Sequence, residues 1–201
     1  TQRQSILVSA TLDEQVSSIA SRMTKDQVFI SARGSDRTPD DIRHEVYMVG
    51  AGDKTADLTR VLEIERPKSV IVFCNTKNTT ERLYHTLQSQ GLRTELLNGD
   101  LSQVDRERVI EKVRAGEVPV LVATDVAARG IDIQHVSHVI NYDFPDTPEG
   151  YVHRTGRTGR AGRKGVAISL VGPSEVGALY YMRLHTKLKP LERTLPKERD
   201  L

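Results

Sequence analysis

Apolar residues along the chain fall into two rhythms. Short runs rich in Val and Ile recur at 5–10 (SILVSA), 45–49 (EVYMV), 69–73 (SVIVF), 94–98 (TELLN), 118–124 (VPVLVAT), 137–142 (SHVINY) and 165–171 (GVAISLV). Several are nearly continuous, as expected of strands covered on both faces. Between them the spacing becomes helical. Leu58, Val61, Leu62 and Glu65 recur at three and four residues in 53–66, and Pro67 closes the segment. Leu83 and Leu87 mark a helix within 78–91 that ends at Gly91. Val109, Ile110 and Val113 share a face in 101–116, with Ser102 as cap and Gly116 just past the end. A last helix is predicted over 174–189, with Val176, Leu179, Tyr180 and Leu184 as its apolar positions. Strand and helix in alternation imply right-handed βαβ units on a parallel sheet, hence an α/β fold.

Two regions break the rhythm. Residues 31–41 (SARGSDRTPDD) are polar, contain Gly34 and Pro39, and read as a linker. Residues 1–30 supply one strand and one helix (13–23), too little to bury a core. They are expected to be the end of a preceding domain. The main domain then spans 42–190, and 191–201 is expected to be a polar, truncated tail.

Composition narrows the class. Of 201 residues, 37% are apolar and 28% charged, ordinary for a globular protein, and the net charge is only +2. Any affinity for nucleic acid must therefore come from local clustering. The lone Cys74 excludes a disulfide framework and a cysteine zinc site, and the six histidines show no metal-ligand spacing. No run reaches the ~20 apolar residues of a membrane span, and there is no signal-peptide pattern. An intracellular protein is expected: cytoplasmic if bacterial, cytoplasmic or nuclear if eukaryotic.

The unusual residues cluster where strands end, the place ligands bind in open parallel sheets. TDVAARGIDI at 124–133 brings Asp125, Arg129, Gly130 and Asp132 after an apolar strand; turn and cap roles suit the two aspartates equally well. CNTK at 74–77 puts Asn75 and Thr76 at a helix start, where backbone N–H groups can meet a phosphate. In NGDLSQVDRER (98–108), Gly99 allows close approach, and Gln103 and Arg106 stand one turn apart. HRTGRTGRAGR (153–163) sets four arginines three residues apart among glycines. Arg154, Arg157 and Arg160 are expected to project from a helix end near 149–153 and the turn beyond it. Guanidinium forks suit phosphate oxygens, so the stretch is either a basic surface for nucleic acid or a set of fingers. The chain contains no G-x-x-x-x-G-K-[ST] loop and no acidic run for Mg²⁺. That favours fingers aimed at a nucleotide held elsewhere.

Taken in order, SAT at 9–11, IVFCNTK at 71–77, NGDLSQVDRER at 98–108, VATDVAARGIDI at 122–133, NYDFP at 141–145 and YVHRTGRTGRAGR at 151–163 resemble the second RecA-like domain of a DEAD-box RNA helicase, preceded by the last strand and helix of the first. The resemblance covers about residues 5–172. It implies a RecA-like parallel sheet flanked by helices on both faces, and an ATP-dependent RNA helicase as the full-length enzyme. By resemblance, Arg157 and Arg160 are the catalytic fingers for the γ-phosphate. Asp132, with Gly130, serves the nucleotide. Asn75, Thr76, Lys77, Gly99, Gln103, Arg106, Thr124 and Arg129 contact RNA backbone, with Gly130 beside them. Ser9, Thr11 and His153 couple the domains.

The same resemblance implies ATP with Mg²⁺ in the full-length enzyme and none held stably by this chain alone, which is expected to be inactive. Its partners are RNA, gripped without regard to sequence, and the first RecA-like domain; no membrane is involved. The exposed 5–10 strand offers an edge for self-association. Asn98 stands where the family has histidine, and Thr155 where it has an apolar residue. Two other classes compete: a non-catalytic RNA-binding or docking module, and a DNA translocase.

Overall fold

The computed structural model of the chain describes residues 4–8, 14–30, 41–128, 136–160 and 162–195. Two compact units emerge, Thr1–Gly34 and Ser35–Leu201. In the first, helix α1 (Glu14–Met23) leaves Ile19 and Met23 exposed, as are Ile6, Val8, Val28, Phe29 and Ile30. The strand expected at 5–10 does not form over residues 5–8, and residues 9 and 10 lie outside the described ones. A strand persists when a neighbour takes up its backbone hydrogen bonds. Among the described residues of this unit there is no such neighbour.

The second unit carries the α/β architecture. Its strands are β1 (Ile42–Met48), β2 (Val70–Cys74), β3 (Thr94–Leu97), β4 (Val120–Thr124), β5 (His138–Asn141), β6 (Gly165–Val171) and β7 (Leu191–Arg193). They form one sheet in the order β3-β4-β2-β5-β6-β1-β7, and every pairing is parallel. Alternate residues face opposite layers. Val70, Val72 and Cys74 pack with Leu58, Val61 and Leu62 of α2 (Lys54–Glu65) and Leu83 and Leu87 of α3 (Lys77–Ser89). Ile71 and Phe73 pack with Val109 and Val113 of α4 (Gln103–Arg114). At the β1 end, Val46 and Val171 pack with Tyr151 of α6 (Pro148–Thr155) and with Leu179 and Met182 of α7 (Val176–Thr186). Cover on both sides explains why β2 is apolar at every position and β4 at all but its last, Thr124. Cys74 is a fully buried part of this core, and burial pushes its thiol pKa up.

Side-chain caps fix where the helices begin. The Thr76 and Ser102 hydroxyls accept from Thr79 N and Asp105 N, both at 3.1 Å, and Thr147 accepts from Gly150 N at 3.0 Å. Each satisfies an orphan donor of a first turn, worth about 1 kcal/mol.

Two expectations are corrected. Residues 191–193 are not tail but the edge strand β7, in register with Glu45–Tyr47 of β1. Its polarity is that of an exposed edge, and Arg193 Nη2 reaches inward to the fully buried Glu45 at 2.8 Å. On α7, the buried positions are Leu179, Met182 and Thr186, whereas Val176, Tyr180 and Leu184 face solvent. The apolar spacing there selected the outer face.

The glycines of the arginine stretch have a packing cause. Gly159 has φ +64, and a Cβ there would lie 2.4 Å from Ile42 Cγ1. Beside it, Thr158 is fully buried and donates to Val136 O at 2.5 Å. A Cβ on Gly165 would meet Thr158 Oγ1 at 2.3 Å. The turn is thus pressed against the starts of β1 and β6. Gly159→Ala is expected to cost about 1–3 kcal/mol. Gly162→Ala, with φ +71 but nothing within 4 Å, should cost less, about 1 kcal/mol. Urea midpoints of the two variants check the ordering.

Candidate functional site

The carboxyl ends of β2, β4 and β5 deliver polar residues to one place. Asn75 follows β2, Thr124 ends β4, Asp125 opens the one-turn helix α5 (Asp125–Ala128), and Asn141 and Asp143 end and follow β5. Into their midst comes Arg154 from α6, 1% exposed. Its Nε and Nη2 donate to Asp125 Oδ1 and Oδ2 at 2.7 and 2.6 Å. Nη2 also donates to Asn75 Oδ1 at 2.6 Å. Nη1 donates to Asp143 O at 2.7 Å and Asn141 Oδ1 at 3.4 Å. The guanidinium lies 5.3 Å from the centre of the Phe73 ring. Arg154 was expected to project; it is instead a buried clamp. The helical register explains the difference, since Tyr151, Arg154 and Thr155 share the buried face of α6.

Asn75 is committed at both ends. Its Nδ2 donates to Phe144 O at 3.1 Å, and its backbone N–H donates to Asp143 Oδ2 at 2.9 Å. Thr76 caps α3. Lys77 forms an ion pair with Asp100, and its Cε lies 3.5 Å from where a Gly99 Cβ would be. The 75–77 and 98–100 loops are thereby brought together. Asn98, nearly buried, donates to Glu81 Oε1 and accepts from Asp100 N, each at 3.0 Å. On α4, Gln103 donates to Glu107 Oε1 at 2.7 Å. Arg106 reaches across to Ala127 O of α5, also at 2.7 Å. Thr124 is buried, and its hydroxyl accepts from Ala127 N at 3.5 Å. Ser9, Thr11, Arg129, Gly130 and Asp132 lie outside the described residues.

Around Arg154, buried and exposed positions alternate. His153 and Arg160 are exposed, and Arg157 is half-buried. Arg160 Nε donates to Gly156 O at 2.5 Å. Burial, and then the charge of Arg160, pulls the Arg157 guanidinium pKa down. Thr155 needs no apolar replacement, because its hydroxyl donates to Tyr151 O at 2.9 Å within the helix.

The sequence reading did not identify Arg154, Asp125, Asn141 and Asp143 as one cluster. A local signal existed: Arg154 sits three residues after Tyr151, on the apolar side of a short helix. Its partners come from three other loops and carry no local mark.

Beneath α6, His44 Nδ1 lies 2.8 Å from the Tyr151 hydroxyl. Burial holds the His44 pKa down at about 4, against an ordinary value of 6.5. The unfolded chain therefore binds a proton in that window that the folded chain refuses, so stability falls as pH drops through it. His44 should contribute a loss of roughly 1–3 kcal/mol between neutral pH and about 4. His138, also depressed chiefly by burial, acts in the same direction. Denaturant titrations across this range should show a shallower acid slope for His44→Gln than for wild type; an unchanged slope would refute the assignment.

Residues 53–162 match the family of helicase conserved C-terminal domains. The chain is 42% identical over 199 residues to the DEAD-box ATP-dependent RNA helicase CshA of Geobacillus kaustophilus, covering 99% of this chain and 42% of that one. It is 46% identical over 168 residues to the ATP-dependent RNA helicase RhlB of Shewanella putrefaciens, covering 84% and 38%. It thus spans about two fifths of the length of these curated relatives. Among solved structures, S. cerevisiae Dbp5 bound to RNA and ADP BeF3 superposes with a TM-score of 0.82 at 35% identity, covering 93% of this chain and 50% of that one. The E. coli DEAD-box protein SrmB bound to regulator of ribonuclease activity A gives 0.71 at 38% identity, covering 79% and 92%.

Proposed function

The chain belongs to the DEAD-box RNA helicase family as a C-terminal RecA-like domain, and on that premise we propose that it supplies half of an ATP-driven RNA-remodelling cleft. In the full-length protein the first RecA-like domain holds ATP with Mg²⁺. Arg157 and Arg160 reach across to the γ-phosphate and stabilise the charge that spreads over its oxygens during transfer. What supports this reading is the position of Arg157, half-buried, and Arg160, exposed, on the turn that follows α6, where guanidinium forks suit phosphate oxygens. His153, exposed beside them, couples this site to Ser9 and Thr11. Asp132 and Gly130 serve the nucleotide. No residue of this chain is assigned to Mg²⁺.

RNA binding falls to the loops at the ends of β2, β3 and β4. Lys77, released from Asp100, is the phosphate contact with the clearest chemistry. The close approach of Gly99 to Lys77 lets a sugar–phosphate backbone lie against both loops. Gln103, Arg129, Thr124 and the N–H groups around Thr76 follow the strand. Asn75 and Arg106, whose side chains are tied into the protein, act by holding the loops in place. Contacts to phosphate and 2′-OH groups give sequence-independent grip and discriminate RNA from DNA. Residues 5–8, with Ile6 and Val8 exposed, would pack against the first RecA-like domain in the full-length protein. Self-association through this segment is the competing outcome, read by light scattering.

Three measurements test the reading. With the first domain restored, Arg157→Ala should lower RNA-stimulated ATP turnover by about 10³-fold or more while leaving the urea midpoint unchanged. Turnover near the wild-type rate would show that Arg157 is no finger. The isolated chain should hydrolyse no ATP in the presence of RNA. Asp100→Asn, which frees Lys77, should tighten RNA binding a few-fold at low salt and steepen its salt dependence by roughly one phosphate. DNA stimulating turnover as well as RNA would favour the translocase class instead.

A further inference from the structure

Helix α7 has two apolar faces, and only one of them is used. Leu179 and Met182 are buried against Val46, Phe144, Tyr151 and Val171. On the outside, Val176, Tyr180 and Leu184 repeat every four residues, with exposures of 43, 65 and 59%, and Tyr181 beside them is 50% exposed. A stripe of large side chains at i, i+4 and i+8 is the seam an amphipathic helix presents to a partner. Solvent-facing positions of a helix that needs only to cover its own sheet are ordinarily polar.

Charge says what kind of partner fits. From Val176 to Leu191 the chain carries Arg183, His185, Lys187 and Lys189 and no acidic residue. Arg183 is engaged with Glu192 at 2.9 Å, whereas Lys187 and Lys189 are exposed. Glu175, at the other end, is occupied by Lys54 at 2.7 Å and by Phe144 N at 2.8 Å. The stripe therefore runs from a neutral end to a cationic one. We infer that the outer face of α7 docks an acidic amphipathic helix of another protein, its apolar residues on Val176, Tyr180 and Leu184 and its carboxylates toward Lys187 and Lys189.

RNA is the other polyanion that cations and tyrosines attract. Val176 and Leu184 offer it nothing to stack on, and their exposure is relieved only by apolar contact. The face also lies over the β6–β1–β7 end of the sheet, whereas the proposed RNA loops follow β2, β3 and β4. A second copy of the chain would bring the same cations to the contact. An 11-residue helix is about 16 Å long, which suits a small, transient interface.

The test uses the whole chain and a synthetic, fluorescein-labelled helical peptide of about five turns, with leucines on one face and glutamates elsewhere. A matched peptide has lysines for glutamates, and a short oligo-U serves as the nucleic-acid probe. Fluorescence anisotropy should show the Leu/Glu peptide binding with Kd of about 10–100 μM, weakening with salt, and the Leu/Lys peptide not binding. Tyr180→Asp and Leu184→Asp, both at exposed positions, should each weaken binding about tenfold. Lys187→Glu with Lys189→Glu should reverse the preference between the peptides. The inference is overturned if the Leu/Glu peptide fails to bind at about 1 mM, or if the aspartate variants bind it as wild type does. Oligo-U binding that those variants abolish would assign the face to RNA. A wild-type dimer in light scattering, dissolved by the same variants, would assign it to self-association; either result overturns the proposal.

Discussion

A guanidinium removed from water must find acceptors for its donors in every direction of its plane, and no single neighbour can supply them. Arg154 meets this demand by drawing on Asp125, Asn75, Asn141 and the carbonyl of Asp143 at once. These acceptors follow three different strands of the sheet. Meeting the demand of one side chain therefore fastens three loops to helix α6. Asp125 remains 39% exposed, so the pair is not wholly cut off from solvent and the desolvation penalty is moderated. Losing Asp125 would strand the buried Arg154 charge, at a cost of up to about 3–5 kcal/mol, whereas losing Arg154 would leave a carboxylate that solvent still reaches.

The clamp also determines how the following residues stand. With Arg154 locked inward and Thr158 and Gly159 pressed onto Val136 and Ile42, the turn between them is held at both ends. His153 on one side and Arg160 on the other are left exposed, with Arg157 half-buried between them. The regular three-residue spacing thus serves two opposite purposes. Arg154 is buried and structural, whereas Arg160 and Arg163 are exposed.

Much of this was legible beforehand, for physical reasons. Strands covered on both faces are nearly continuous in apolar residues, so β2, β4 and β6 announced themselves despite Thr124 and Ser169. Thr76 and Ser102 cap helices because short polar side chains are the ones that reach a first-turn N–H. What stayed hidden depends on contacts between distant segments. Arg154 reads as one more surface cation until the loop acceptors around it are placed. Leu191–Arg193 reads as tail because an edge strand three residues long carries no periodicity, and its anchor is Glu45 on a distant strand. On α7, both faces are apolar, so spacing alone could not say which one meets the sheet. The motif residues were found through family resemblance more than through local chemistry. Asn75 and Arg106 show how a residue in such a motif can be occupied in holding a loop.

One buried guanidinium holds the site loops together while the core stands without it. Amide hydrogen exchange on Arg154→Lys tests it most directly, since lysine keeps the charge but not the planar fork. Protection should be lost at the Asn75 amide, which donates to Asp143, and at the Asp143 amide, and retained at Val122 in the centre of β4. Unchanged exchange at Asn75 and Asp143, or an equal loss at Val122, would contradict it.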